Sequence, residues 1–129
     1  MTQIPLFQPP SEWLPPETIP DLHDADQIAI DLETYDPGIK DIGPGWATGH
    51  GKIIGVAIAV DGWQGYFPLH HQGGGNFDEK IFKRQFKKIL ELPCDKIFHN
   101  APYDVGWLKQ WGLEVKGRII DTMIAAPLI

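Results

Sequence analysis

Gln27-Ile28-Ala29-Ile30-Asp31-Leu32-Glu33-Thr34 reads as a β-strand that ends in two carboxylates. The isoleucines, the short apolar run and the lack of proline favour a strand over a helix. Successive strand side chains point to opposite faces, so Asp31 and Glu33 share one face and Leu32 takes the other. At a rise of about 3.3 Å per residue their Cα atoms lie about 6.6 Å apart. Two carboxylates so placed repel unless something positive lies between them, and a hard divalent cation with oxygen ligands is the natural partner. An Asp-x-Glu where a strand drifts into a polar loop is the plainer alternative. The rest of the chain has to decide between them.

The chain has 129 residues, 43% hydrophobic and 22% charged, enough for one domain with one core. No apolar run approaches the roughly 18 residues of a membrane span. The N-terminus carries no basic region followed by an apolar stretch, so a secretory signal is not expected. The single cysteine, Cys94, excludes an intrachain disulfide framework and fits a reducing compartment such as the cytoplasm. A net charge of −6 argues against a general nucleic-acid coat or a membrane-surface binder. It leaves open an enzyme that meets nucleic acid through bound cations, because such ions reverse the local field where phosphate must sit.

Six of the twelve prolines fall within residues 1 to 20, which predicts an extended arm over 1–25 and a domain from residue 26 onward. Thr34-Tyr35-Asp36-Pro37-Gly38 signals a turn into a glycine-rich loop that runs to Gly51. Lys52 to Val60 is a buried strand, and Asp61-Gly62 turns it into a third strand, Trp63 to Leu69. His70 and His71 hint at metal, but an adjacent pair with no third histidine or cysteine nearby is a weak signal. Gly73-Gly74-Gly75 lacks the Lys-Ser/Thr of a phosphate-binding loop. A helix is expected from Asn76 as cap, with Glu79 reaching back to it and Pro93 ending it. Ile81, Phe82, Phe86, Ile89 and Leu90 form its apolar face, and five cations cover the remainder as a solvated face. A short strand over 95–100, a helix from Ala101-Pro102 to Gly112, a strand over 115–120 and a helix capped by Asp121 complete the order. If the fourth strand joins the edge of the antiparallel trio, Asp104 faces Asp31.

At this point the sequence resembles a known family. Asp31-Leu32-Glu33-Thr34 looks like the first motif of the DEDD-type 3′–5′ exonucleases, and Asn100-Ala101-Pro102-Tyr103-Asp104 looks like the second. Asp121-Thr122 followed by small residues also matches a segment common in that family. The similarity is greatest to the proofreading domain of family A (Pol I-like) DNA polymerases, phage ones above all. It covers residues 26 to 129. The resemblance implies an α/β, RNase H-like fold: a mixed sheet with three antiparallel strands followed by α-β-α-β-α. It also implies hydrolysis of a terminal phosphodiester of a single-stranded DNA 3′ end by two Mg²⁺ or Mn²⁺ ions about 3.5–4 Å apart. Asp31 would bridge both ions, Glu33 would hold the nucleophile-side ion, and Asp104 would support the second. Leu32 and Thr34 would lie by the terminal nucleotide, Asn100 would orient the site, and Tyr103 would either pack or touch substrate.

One departure counts against a complete site. The family's fourth carboxylate follows a Tyr or His in a third motif, whereas after Asp104 this chain offers only Glu114 and Asp121, and Asp121 is explained as a helix cap. The expectation is therefore the N-terminal part of the domain, C-terminally incomplete, completed by a downstream polymerase or exonuclease segment in cis or in trans. Its location would be the host cytoplasm if it comes from a phage. Uncovered apolar sheet surface would favour self-association. Two alternatives stand beside this one: an RNase D-like exonuclease acting on RNA, and a non-catalytic binding remnant of the fold.

Overall fold

The structure, a computed structural model, describes residues 19–125. Most of the proline-rich arm and the last residues of the chain therefore lie outside the described residues. Within them the element order is β1 (Gln27–Tyr35), α1 (Ile39–Ile42), α2 (Gly45–Thr48), β2 (Lys52–Val60), β3 (Trp63–Pro68), α3 (Glu79–Leu90), β4 (Asp95–Phe98), α4 (Ala101–Gln110), β5 (Ile119–Asp121) and α5 (Thr122–Ala125). The strands form one mixed sheet in the order β3-β2-β1-β4-β5. β1, β2 and β3 are antiparallel, and β4 and β5 add in parallel beside β1. This is the expected α/β sheet, with the carboxylate strand at its centre.

Period-two alternation builds the sheet. Ile28, Ile30 and Leu32 are buried while Asp31 and Glu33 are exposed. On β2 the buried Val56 and Ile58 alternate with Gly55, Ala57 and Ala59, so the middle strand offers only small groups beside the carboxylates. Phe82 and Phe86 of α3 stack at 5.3 Å, and Phe82 meets Phe67 of β3 at 5.1 Å, which seals one face of the sheet. Leu22 is also in this core, so the polar approach to β1 contains an apolar anchor.

Several boundaries differ from expectation, each for a local reason. The cap of α3 is Asp78, whose side chain accepts Ile81 N–H, and not Asn76. Asn76 instead closes the loop before it, accepting His71 N–H at 2.8 Å and donating to His71 O at 2.9 Å. Glu79 turns to His70 (2.7 Å) and Trp111 Nε1 (3.0 Å) in place of a capping box. Ile81 lies at the rim of the apolar face and is exposed. α3 stops at Leu90, before Pro93, and β5 is confined to Ile119–Asp121.

The glycine-rich loop is more ordered than a loop. It folds into the two single-turn helices α1 and α2, and α2 docks on α4. Asp36 accepts Gly45 N–H at 3.0 Å and the Tyr103 hydroxyl at 2.6 Å, tying the end of β1 to both. Lys96 is fully buried in β4, where its ammonium donates to the carbonyls of Leu92, Cys94 and Lys116 at 2.5, 3.0 and 2.6 Å. Among the described residues no helix is long and apolar enough to cross a membrane.

Candidate active site

Asp31 and Glu33 are exposed on the central strand, and Asp104, in the first turn of α4, reaches the strand backbone between them at Leu32. The parallel pairing of β4 with β1 explains the approach, because only His99 and Asn100 separate the end of β4 from the start of α4. Asp104 is 4% exposed, and its Oδ2 accepts Leu32 N–H at 3.4 Å, the long limit of a hydrogen bond. Burial first, then the charges of Asp31 and Asp121, push the Asp104 carboxyl up to about 7, and the Leu32 N–H opposes them only in part.

The turn into α4 is held from outside. Asn100 adopts φ 69° and ψ 62°, the one non-glycine residue at positive φ among the described residues, and its side chain makes no cap hydrogen bond. An asparagine tolerates this left-handed geometry better than most side chains. The cap comes from Asp121, which accepts Asn100 N–H and Ala101 N–H at 2.9 Å each and also Met123 N–H at 3.0 Å. Burial works to raise the Asp121 pKa, but these three N–H groups outweigh it and hold the carboxylate below its usual range. Asp121 thus caps its own helix, as expected, and also the one that carries Asp104.

The other residues named from sequence fall as follows. The Leu32 side chain is buried in the core, so its backbone faces Asp104. Thr34 Oγ1 lies 3.0 Å from the Tyr103 hydroxyl, whose own proton goes to Asp36, so Thr34 is the donor. The Tyr103 ring stands edge-on to Trp107. Glu33 is met by two residues that the sequence did not single out for it: the Tyr66 hydroxyl donates to Glu33 Oε1, and His71 Nε2 lies 3.4 Å from the same oxygen. Burial, then the hydrogen bond to Glu33 and the charges of Glu33 and Asp31, keep the Tyr66 phenol protonated well above its usual range. The strand register puts Tyr66 level with Ala57 and Asp31, one pleat along from the Glu33 it meets, and no sequence signal gives that register.

Among the described residues no three of His, Cys, Asp and Glu are gathered closely enough to hold a metal as they stand. The donor chemistry nevertheless fits a hard divalent cation. Two carboxylates are exposed on β1 and a third, from α4, accepts the backbone N–H between them; this buried one carries a raised pKa that a cation would lower.

No family model matches the chain. It is 36% identical, over a 135-residue alignment covering 98% of its length, to a DNA-directed DNA polymerase of Pseudomonas phage M6. The chain spans only 20% of that polymerase. Among solved structures it is similar to Trypanosoma brucei RNase D in complex with RNA U12, with a TM-score of 0.59 and 21% identity over 78% of this chain and 32% of that one. Brucella melitensis NrnC with bound Mg²⁺ gives a TM-score of 0.56 and 22% identity over 86% of this chain and 49% of that one. The chain therefore shares the fold of RNase D and NrnC. In this fold Asp31 and Glu33 lie on β1 and Asp104 in the first turn of α4.

Proposed function

We propose that the chain is a metal-dependent 3′–5′ exonuclease module that trims DNA 3′ ends in the context of a phage-type DNA polymerase. The observation that carries this reading is the convergence of Asp104 from α4 on the Asp31-Leu32-Glu33 strand, sealed by the contact of Leu32 N–H with Asp104 Oδ2. The relationship to the phage polymerase over 98% of the chain supports DNA as the substrate.

Asp31, Glu33 and Asp104 would hold two Mg²⁺ or Mn²⁺ ions, which when bound supply a water of lowered pKa and neutralise charge on the leaving oxygen. The protein's own contribution is placement. Asp31 and Glu33 sit on the central strand, paired there with Ala57 and Gly55 of β2, so their separation is fixed before substrate arrives. Burial pushes the Asp104 carboxyl up to about 7, and positive charge set beside it would favour its ionised form. Thr34 and Asn100 border the same end of the sheet and would contact the terminal nucleotide. Because Asp121 is occupied by the N–H groups of α4 and α5, the fourth carboxylate would come from polypeptide outside these residues.

The test is trimming of a 3′-labelled single-stranded DNA with Mg²⁺ or Mn²⁺, by the chain alone and in the full-length polypeptide. Metal-dependent loss of 3′ nucleotides that disappears in Asp31→Ala is expected, and activity that survives Asp31→Ala would sink the mechanism. The likeness to RNase D in complex with RNA favours one second reading, an exonuclease that acts on RNA. Matched DNA and RNA oligonucleotides separate the two by rate.

A further inference from the structure

Glu33 is not free to swing on its strand. The phenol of Tyr66, two strands away on β3, crosses the middle strand and donates to Glu33 Oε1. The crossing needs an open floor. Gly55, the register partner of Glu33, provides it: a Cβ there would lie 1.8 Å from the Tyr66 oxygen and 2.4 Å from its Cζ. Tyr66 is held in turn by His71, with Nε2 2.5 Å from the phenol oxygen and the two rings edge-on at 5.6 Å. The His71 backbone is clamped on both its N–H and its C=O by Asn76. The glycine run Gly73-Gly74-Gly75, with Gly74 and Gly75 at φ 86° and 72°, lets the chain close that clamp.

We propose that Tyr66, with His71 behind it, is a positioning residue for Glu33: it pins one carboxylate oxygen and leaves Oε2 directed to a divalent cation. The inference rests on the exonuclease reading above and adds to it the groups that orient one of its ligands. An ionised carboxylate accepts only, so the phenol proton is committed to Glu33. His71 must then donate to the phenol oxygen, which requires the proton on Nε2. Groups that orient a metal ligand typically carry about 10- to 100-fold of the metal affinity or the activity. Of the histidine pair that hinted at metal, His71 thus serves the site indirectly, through a tyrosine, while His70 bonds Glu79.

The experiment is titration of Mn²⁺ into the chain, alone and in the full-length polypeptide, read by the electron paramagnetic resonance of free Mn²⁺, for wild type, Asp31→Ala, Tyr66→Phe, His71→Gln and Gly55→Ala. Tyr66→Phe keeps the ring and removes only the hydroxyl, so the thermal midpoint should stay close to wild type while Mn²⁺ affinity falls about 10- to 100-fold. Gly55→Ala should also lower Mn²⁺ affinity by displacing the phenol, and its clash with the ring should lower the thermal midpoint as well. Nitrogen-15 NMR of the imidazole should report the Nε2–H form of His71 in wild type and its loss as the favoured form in Tyr66→Phe. Mn²⁺ binding that is lost in Asp31→Ala but unchanged in Tyr66→Phe would overturn this inference and leave the exonuclease reading intact. Absence of Mn²⁺ binding in the full-length polypeptide, where the fourth carboxylate is supplied, would overturn both. An Nδ1–H tautomer in wild type would overturn the hydrogen-bond relay on its own.

Discussion

Asp121 Oδ2 accepts the backbone N–H of Ala101 at 2.9 Å, so the end of β5 fixes the start of the helix that carries Asp104. A second oxygen of the same carboxylate takes Asn100 N–H and Met123 N–H. Two helix starts therefore depend on one side chain, in the manner of a shared N-cap. Asp121→Ala should lower the thermal midpoint and speed amide exchange at Asn100, Ala101 and Met123 together. Asp121→Asn, which keeps one acceptor oxygen, should recover part of both. Unchanged exchange at Ala101 in Asp121→Ala would show that the α4 start is held by packing instead.

Asp104 gives a pH signature with a definite sign. Its carboxyl is pushed up to about 7 in the folded chain from the 3.8 of an ordinary aspartate. Between those values the folded state binds more protons than the unfolded state, so stability contributed by this group falls as pH rises. One proton sets the steepest slope at about 1.4 kcal/mol per pH unit. The contribution is fully favourable below roughly pH 4 and fully lost above roughly pH 7. Urea unfolding at pH 5 and pH 8 should show a smaller difference for Asp104→Asn than for wild type. Mg²⁺ should stabilise wild type more at pH 8 than at pH 5, because a cation favours the ionised carboxylate.

The carboxylate strand and the order of strands were legible because each rests on a local period. Ile28, Ile30 and Leu32 alternate with Asp31 and Glu33, and the Asp61-Gly62 turn forces an antiparallel neighbour. Proximity of Asp104 followed once β4 was set beside β1. What stayed hidden depends on side chains that cross elements. Nothing in a linear pattern says that Asp78 will outcompete Asn76 for the α3 cap, or that Asn76 will be taken by His71. The same holds for Tyr66 on Glu33, which needs Gly55 to be small and the β3 register to be known. The glycine-rich segment misled for a related reason: its order comes from α4, through Asp36, Trp46 and Tyr103, and not from its own composition.

Lys96 is the buried cation that neither charge pattern nor strand period announced. Burial pushes its pKa down, but three carbonyl acceptors hold the ammonium in place at the junction of β4 with the segments around Leu92 and Lys116. Lys96→Met keeps the apolar stem and strands those carbonyls without a donor. Hydrogen bonds to a charged group contribute about 1.5–3 kcal/mol each, and partial rehydration of the carbonyls recovers some of that. A net loss of about 3 kcal/mol by urea unfolding is expected. A loss under about 1 kcal/mol would mean that water replaces the ammonium readily.

Gly106 sets helix propensity against packing. In an exposed helix interior, Gly→Ala would stabilise by about 1 kcal/mol. Here an added Cβ would lie 2.4 Å from Cε2 and 2.6 Å from Cδ2 of Trp46, so the indole of α2 must move off α4. Overpacking of that kind costs about 1–3 kcal/mol, and the steric term wins. Gly106→Ala should therefore destabilise the chain, and it should change the tryptophan emission as Trp46 leaves its seat. Pairing it with Trp46→Leu, which frees the space, should return the stability lost to the clash and uncover the propensity gain. If Gly106→Ala alone proves stabilising, α2 yields without cost, and the docking of the glycine-rich segment on α4 is weaker than its contacts imply.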